Sequence, residues 1–202
     1  MTQPISPKGY DFRPLTAHEW QDFVTLFDEP GPHRGCWCMY WRVKRADFHR
    51  QYGAGLQDAM LKIVDGGMIP GILAYIDGKP VGWCSIAPRE EFPVLDRSPT
   101  LKRVDNESVW SIVCFFVSKN YRQQGISRFL LQAAIEHARE RGAKIIEAYP
   151  LKTEIAETQP YERYMGLEST YEQAGFKVVT RRSERRPIMR IFVNKNEGEE
   201  DL

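Results

Sequence analysis

Residues 122–127 read Arg122-Gln123-Gln124-Gly125-Ile126-Ser127, and they lie between two very different stretches. Before them, residues 109–117 are apolar on both alternating faces, as suits a central strand covered on both sides. Val109, Val113, Phe115 and Val117 form one expected face. Trp110, Ile112, Cys114 and Phe116 form the other. After the turn, Ile126, Leu130, Ala134 and Ala138 recur at helical spacing, with Leu131 and Ile135 beside them. A strand, a glycine turn and a helix in that order aim unpaired N–H groups and the positive end of the helix at one point. Phosphate is the natural ligand there. Gly125 permits close backbone approach, and Arg122 to Arg128 would hold the anion mainly through their amides. With no ligand, the same pattern is an ordinary strand–helix turn.

Three other groups of residues carry chemistry. Tyr171-Glu172-Gln173-Ala174-Gly175-Phe176 reads as a helix end capped by Gly175 and followed by a strand. The Tyr171 phenol is either a proton donor or a ring packed between helix and sheet. Cys36 and Cys38 stand two apart near His33, within a segment that also holds Trp37, Tyr40 and Trp41. The spacing is not Cys-x-x-Cys and no second ligand pair exists, so no metal is expected. Trp37, Tyr40 and Trp41 would wall an acceptor pocket or simply pack against the sheet. Arg34 and Arg42 are positioned in sequence to meet a carboxylate on such an acceptor. Glu107, and next Asp105, are the carboxylates nearest the start of the central strand.

The rest of the chain must position these groups. A first strand is expected near residues 9–15, a first helix at 17–27 and another at 54–64. Residues 71–76 and 80–87 form a hairpin around the turn at Asp77-Gly78. Residues 88–106 are a polar connection at a pocket rim, and 143–149 are a further strand. Residues 152–166 read as a loop, and 176–180 with 187–193 as a last hairpin. Its arginine-rich link, residues 181–186, reads as a solvated tip. Cys84 and Cys114 fall in strands and are expected to be reduced core residues.

The glycine turn resembles motif A of the GCN5-related N-acetyltransferases, whose pattern is Gln/Arg-x-x-Gly-x-Gly/Ala. Ser127 replaces the final small residue, and Gln123 stands where many members have another glycine. The segment at Tyr171 resembles motif B of the same family. The resemblance implies an α/β fold, a single domain at residues 10–195 with a mixed, mostly antiparallel central sheet flanked by helices. It implies acetyl-coenzyme A as co-substrate, with no metal. Backbone amides around Phe115, Phe116 and Val117 would hold the thioester carbonyl, on a strand that bulges and splays to admit pantetheine. Arg122, Gln123, Gln124, Gly125, Ile126, Ser127 and Arg128 would bind pyrophosphate. Tyr171 would protonate the departing thiolate. The implied reaction is direct transfer to a small-molecule or peptide amine. Such an amine, with a pKa near ~10.4 for an alkyl amine, must first lose a proton. A base or a water chain must help; Glu107, and next Asp105, is the carboxylate nearest in sequence for that task, or else a plain surface residue.

Composition agrees with this reading and leaves rivals open. The chain has 202 residues and a formal net charge of +1, so no global field recruits nucleic acid or membrane. No apolar run approaches a membrane span and the first residues lack a signal-peptide core, so a cytoplasmic location is expected. The acidic stretch 196–202 is expected to fray. A non-catalytic acyl-coenzyme A sensor, an acyltransferase with a longer donor and an RNA-associated protein using Arg181 to Arg186 are the alternatives. A homodimer is also open.

Overall fold

The computed structural model describes residues 9–31, 34–156 and 160–193. His33 and the acidic stretch 196–202 lie outside the described residues. Seven strands form one sheet in the order β1-β2-β3-β4-β5-β7-β6. They are β1 Tyr10–Pro14, β2 Gly71–Ile76, β3 Lys79–Pro88, β4 Trp110–Val117, β5 Ile145–Ala148, β6 Lys177–Thr180 and β7 Ile188–Phe192. Every neighbouring pair is antiparallel except β4 with β5. A parallel pair requires a crossover, and helix α4, Ile126–Glu140, supplies it.

The periodic apolar stripe of α4 packs on one face of the sheet. Leu130, Leu131, Ala134 and Ala138 are fully buried there against Ile86, Ile112, Ile146 and Ala148. The helix comes so close to β3 that a Cβ on Gly82 would lie 2.9 Å from Leu130 Cδ1. The other face is covered by α1 Trp20–Phe27, α2 Arg45–Arg50 and α3 Ala54–Asp65. At its centre Phe23, Phe27, Trp37 and Trp83 form an aromatic cluster, with Phe23 to Phe27 centroids 4.3 Å apart.

Two elements differ from the sequence expectation. Residues 152–166 hold α5, Thr153–Ala156, and a 3-10 helix, Pro160–Met165, that packs against β4. Leu151 bridges Leu167 just before α6, Glu168–Gln173. The link at 181–186 is not a free hairpin tip. Arg181 pairs with Glu168, Arg185 with Glu162, and Arg182 donates to the carbonyls of Lys102 and Arg103. Arg186 donates to the carbonyls of Tyr149 and Glu162. These arginines tie the link to α6, to Glu162, to Tyr149 and, through Arg182, to the 88–106 connection, although Arg181 and Arg182 remain exposed.

Candidate active site

The two faces expected of β4 are broken by a bulge. Ser85 on β3 stands opposite Cys114, but Ile86 stands opposite Ile112, so Val113 is one residue in excess. The extra residue resets the alternation. Ile112 and Phe115 face α4, while Val113 and Cys114 both face the other side. Val113 and Phe115, expected on one face, therefore lie on opposite ones. Phe116 is buried near Phe27 on the α1 side, and Val117 packs toward α4.

Beside the bulge, β4 and β5 part. Their register runs Trp110 to Ile146, Ser111 to Glu147 and Ile112 to Ala148, and ends there. β5 stops at Ala148 while β4 continues to Val117. Among the described strands, none pairs with β4 beyond Ile112 on its β5 side.

The glycine turn follows at the same end of β4. Gln123 and Gly125 both have left-handed backbone, at φ 63° and 78°. Alternation of this kind curls consecutive N–H groups into a concavity that suits an anion. Among the described residues, no backbone acceptor pairs with the amides of Gln124, Gly125, Ile126 or Ser127. Arg128 and Phe129 already donate to the Gly125 carbonyl. Arg122 donates from Nε to the Val117 carbonyl at 2.9 Å, which fixes the turn to the strand end. The side chains of Arg122, Gln123, Gln124, Ser127 and Arg128 are exposed, whereas Ile126 is buried under α4 and offers only its amide. The turn presents unpaired amides in a shape suited to an anion.

Tyr171 projects from α6 into the α4-side core. It is fully buried, and its hydroxyl has no hydrogen-bond partner. Its ring meets Phe176 edge-on at 5.0 Å and Phe115 at 6.3 Å. Burial pushes its pKa well above that of an ordinary phenol, so it stays protonated at neutral pH. The buried hydroxyl is thus protonated and without a partner among the described residues.

Other expected site residues lie elsewhere. Glu107 is exposed in a shallow open depression with Trp110 and Lys144, at the opposite end of β4 from the glycine turn. Eight residues of extended chain separate it from Phe115, on the order of 25 Å, so it does not meet that end of the strand. Asp105 is held by Arg190 through two bonds of 2.6 and 3.0 Å, and that pairing lowers its pKa. Glu107 thus lies away from the glycine turn, and Asp105 is committed to Arg190. Trp37 is buried, stacked on Phe27 at 5.8 Å, and is a core residue rather than a pocket wall. Tyr40 and Trp41 are half-buried, with edge-on rings 5.0 Å apart, and the Trp41 indole N–H is buried without a partner. Arg34 is exposed, but Arg42 is buried over Phe92 and cannot reach out to an acceptor.

A buried ionic network went unrecognised in the sequence. Glu147 on β5 is fully buried and accepts 2.7 Å bonds from Arg89 Nη1, Tyr149 Oη and Arg190 Nε. Arg89 also donates to Asp96 Oδ1 and the Leu101 carbonyl, and Ser111 meets Tyr149 at 2.8 Å. The network ties the 88–106 connection to β4, β5 and β7 beside the point where the strands part. Its one sequence signal was a glutamate inside the apolar run Ile145-Ile146-Glu147-Ala148. Among the described residues, no group of three or more His, Cys, Asp or Glu side chains is placed to hold a metal ion. None of the described helices is long and apolar enough to cross a membrane.

Comparison with known proteins places this geometry. The family described as Acetyltransferase (GNAT) family matches residues 20–167. An uncharacterized N-acetyltransferase of Methanocaldococcus jannaschii is 28% identical over 142 residues, covering 70% of this chain and 54% of the relative. The chain therefore spans about half the length of that relative. Among solved structures, PaiA N-acetyltransferase of Thermoplasma acidophilum, in complex with coenzyme A, is 14% identical with a TM-score of 0.51. That match covers 91% of this chain and 99% of the other. The YncA putative acetyltransferase of Salmonella typhimurium, with acetyl-CoA, is 11% identical at TM-score 0.52, covering 96% and 100%. A GNAT-family acetyltransferase of Streptococcus agalactiae is 13% identical at TM-score 0.53, covering 93% and 98%. At these identities the structural likeness speaks for the fold alone.

Proposed function

The chain belongs to the acetyltransferase (GNAT) family, and from that premise we propose that it moves an acetyl group from acetyl-CoA directly to an amine. The observation that carries the reading is the meeting of three features at one end of β4. These are the unpaired amides at Gln124 to Ser127, the bulge beside the strand gap, and the unpartnered Tyr171 hydroxyl.

Each feature has a task. The turn amides hold the diphosphate, helped by the positive end of α4. Past the bulge, amides of Phe115, Phe116 and Val117 orient the thioester carbonyl and stabilise negative charge that develops on its oxygen. The amine nitrogen attacks that carbon, the C–N bond forms and the C–S bond breaks. Tyr171 gives its proton to the leaving sulfur. The amine approaches from the face carrying Tyr40 and Trp41, and its own proton leaves through water. The bound coenzyme supplies the activated acetyl group; the chain supplies position and charge stabilisation.

The test is a panel of small-molecule and peptide amines with acetyl-CoA, followed by release of free thiol and by mass of the product. Acetylated amine in step with thiol release supports the reading. Tight coenzyme binding with no thioester loss across the panel would make the chain an acyl-CoA-binding module. Preference for a longer acyl thioester in competition would change the donor.

A further inference from the structure

Gly166 follows the 3-10 helix Pro160–Met165 and has left-handed backbone, at φ 83°. Both of its polar backbone groups are engaged. The amide donates to the Arg163 carbonyl at 2.8 Å, and the carbonyl accepts from the Leu151 amide at 2.9 Å. The adjoining Leu167 bridges Leu151, and the Glu168 amide donates to the Leu151 carbonyl at 2.9 Å. Gly166 is therefore fixed to the chain that follows β5.

Held in this way, Gly166 stands against the hydroxyl end of Tyr171. A Cβ on it would lie 2.8 Å from Tyr171 Cε2, 3.5 Å from Cζ and 3.5 Å from the hydroxyl oxygen. Carbon atoms pack at about 3.5–4.0 Å, so any side chain at 166 displaces the ring. The ring is fully buried, and Phe176 and Phe115 meet it edge-on at 5.0 and 6.3 Å. Three neighbours thus set its place. Gly166 turns no free N–H toward the hydroxyl, and its carbonyl is already bonded, in keeping with a hydroxyl that has no partner. Left-handed backbone alone would account for a glycine here, so the contact must be separated from the conformation. Gly142 supplies the comparison. Its φ is also 83°, and a Cβ there would meet nothing within 4 Å.

We propose that Gly166 is a positioning residue for acyl transfer. Its missing side chain leaves the space that sets the Tyr171 hydroxyl in place to protonate the departing thiolate. Gly166 acts through the ring and touches no substrate. This role rests on the acetyltransferase reading and on Tyr171 as its acid. Misplacing a reacting group by about 1 Å can cost about a hundredfold in rate, and relief of the 2.8 Å contact needs a movement of that order or smaller.

Turnover, acetyl-CoA affinity and unfolding midpoint are measured on the full chain with an amine that the wild type acetylates. The variants are Gly166→Ala, Gly142→Ala, Tyr171→Phe and the double variant of Gly166→Ala with Tyr171→Phe. Gly166→Ala should lower kcat about tenfold or more, with coenzyme affinity within about twofold. Gly142→Ala should leave kcat within about twofold. Phenylalanine keeps the ring carbon that the new Cβ meets but has no proton to give. In the Tyr171→Phe background, Gly166→Ala should therefore lower the midpoint as it does in the wild type, yet change kcat less than about twofold. An equal loss of kcat in both backgrounds marks a merely structural role and overturns the proposal. So does unchanged kcat in Gly166→Ala. Unchanged kcat in Tyr171→Phe removes the acid and this role with it, and leaves acetyl transfer standing.

A second measurement needs no acceptor. In protein labelled with carbon-13 at tyrosine Cζ, the resonance absent from Tyr171→Phe is that of Tyr171. Gly166→Ala should shift it and Gly142→Ala should not. A resonance that stays in place in Gly166→Ala overturns the proposal whatever the chain transfers. Where the alanine variant does not fold, Gly166→Asn carries the same Cβ on a residue that tolerates left-handed backbone better, and it is scored identically. A wild type that acetylates no amine overturns the transferase reading, whereas an unshifted resonance overturns the contact, so the two failures are told apart.

Discussion

The ring of Tyr171 stands edge-on to the ring of Phe115, 6.3 Å between centroids and 67° between planes. Phe115 follows the bulge of β4, and Tyr171 ends a helix far along the chain. The contact sets the Tyr171 ring against the part of β4 that follows its bulge. The Tyr171 hydroxyl is buried and unpartnered, so a conservative substitution can distinguish a chemical role from packing.

Tyr171→Phe should keep stability or raise it slightly, because a buried hydroxyl without a partner costs about 1–3 kcal/mol. The packing of the ring is retained. Turnover with a validated acceptor should fall by about ten- to a thousandfold, with coenzyme affinity little changed. Unaltered turnover across pH would make Tyr171 a packing residue.

Gly125→Asp should remain folded, since a Cβ there meets nothing closer than Phe129 Cε2 at 3.8 Å. Aspartate also tolerates the left-handed backbone better than most residues. The carboxylate would occupy and repel the phosphate position, so calorimetry should show acetyl-CoA affinity reduced about a hundredfold or more. Undiminished affinity would remove the phosphate assignment.

Glu107→Gln should leave turnover and its pH profile unchanged within about twofold. The residue is exposed at the far end of β4. Loss of the acid limb in kcat/KM, the fall at low pH where a base is protonated, would restore it as the proton acceptor.

Glu147→Gln should cost about 3–5 kcal/mol in denaturant unfolding, as for breaking a buried ion pair. It leaves Arg89 and Arg190 facing a neutral amide in a buried site. Proteolysis should then cut the 88–106 connection more readily. An unchanged midpoint would mean that the network is compensated elsewhere.

His137 should make the fold acid-sensitive. Its pKa is held down to about 4, mainly by burial and also by Arg141, and its Nε2 is buried without a partner. The unfolded chain therefore binds a proton between about pH 6.5 and 4 that the folded chain refuses. Stability from this group is full above about pH 6.5 and lost as pH falls through the folded value, on the order of 3 kcal/mol in all. His137→Phe should flatten that part of the stability curve relative to wild type. Parallel curves would show that the imidazole is not responsible.

Much of the scaffold was legible because its signals are local. The apolar run of β4, the left-handed Gly125 and the helical stripe of α4 depend on neighbours in sequence. So do the capped helix at Tyr171 and the hairpin at Asp77-Gly78. The first helix and the final hairpin were likewise expected and found.

The sequence by itself determined the order of elements, the α/β class and the strand–glycine–helix turn, because backbone propensity and apolar period act over a few residues. Only the tertiary structure decided which residue of β4 bulges, since the excess of Val113 exists only relative to the register of β3. It also decided that Trp37 is core, that Glu107 lies at the wrong end of the strand, and that Arg181, Arg182 and Arg186 are tied to the fold. Glu147 between Arg89 and Arg190 was equally invisible in the sequence. Each is a long-range pairing enforced by packing, and a burial or a charge partner has no meaning until distant segments of the chain are brought together.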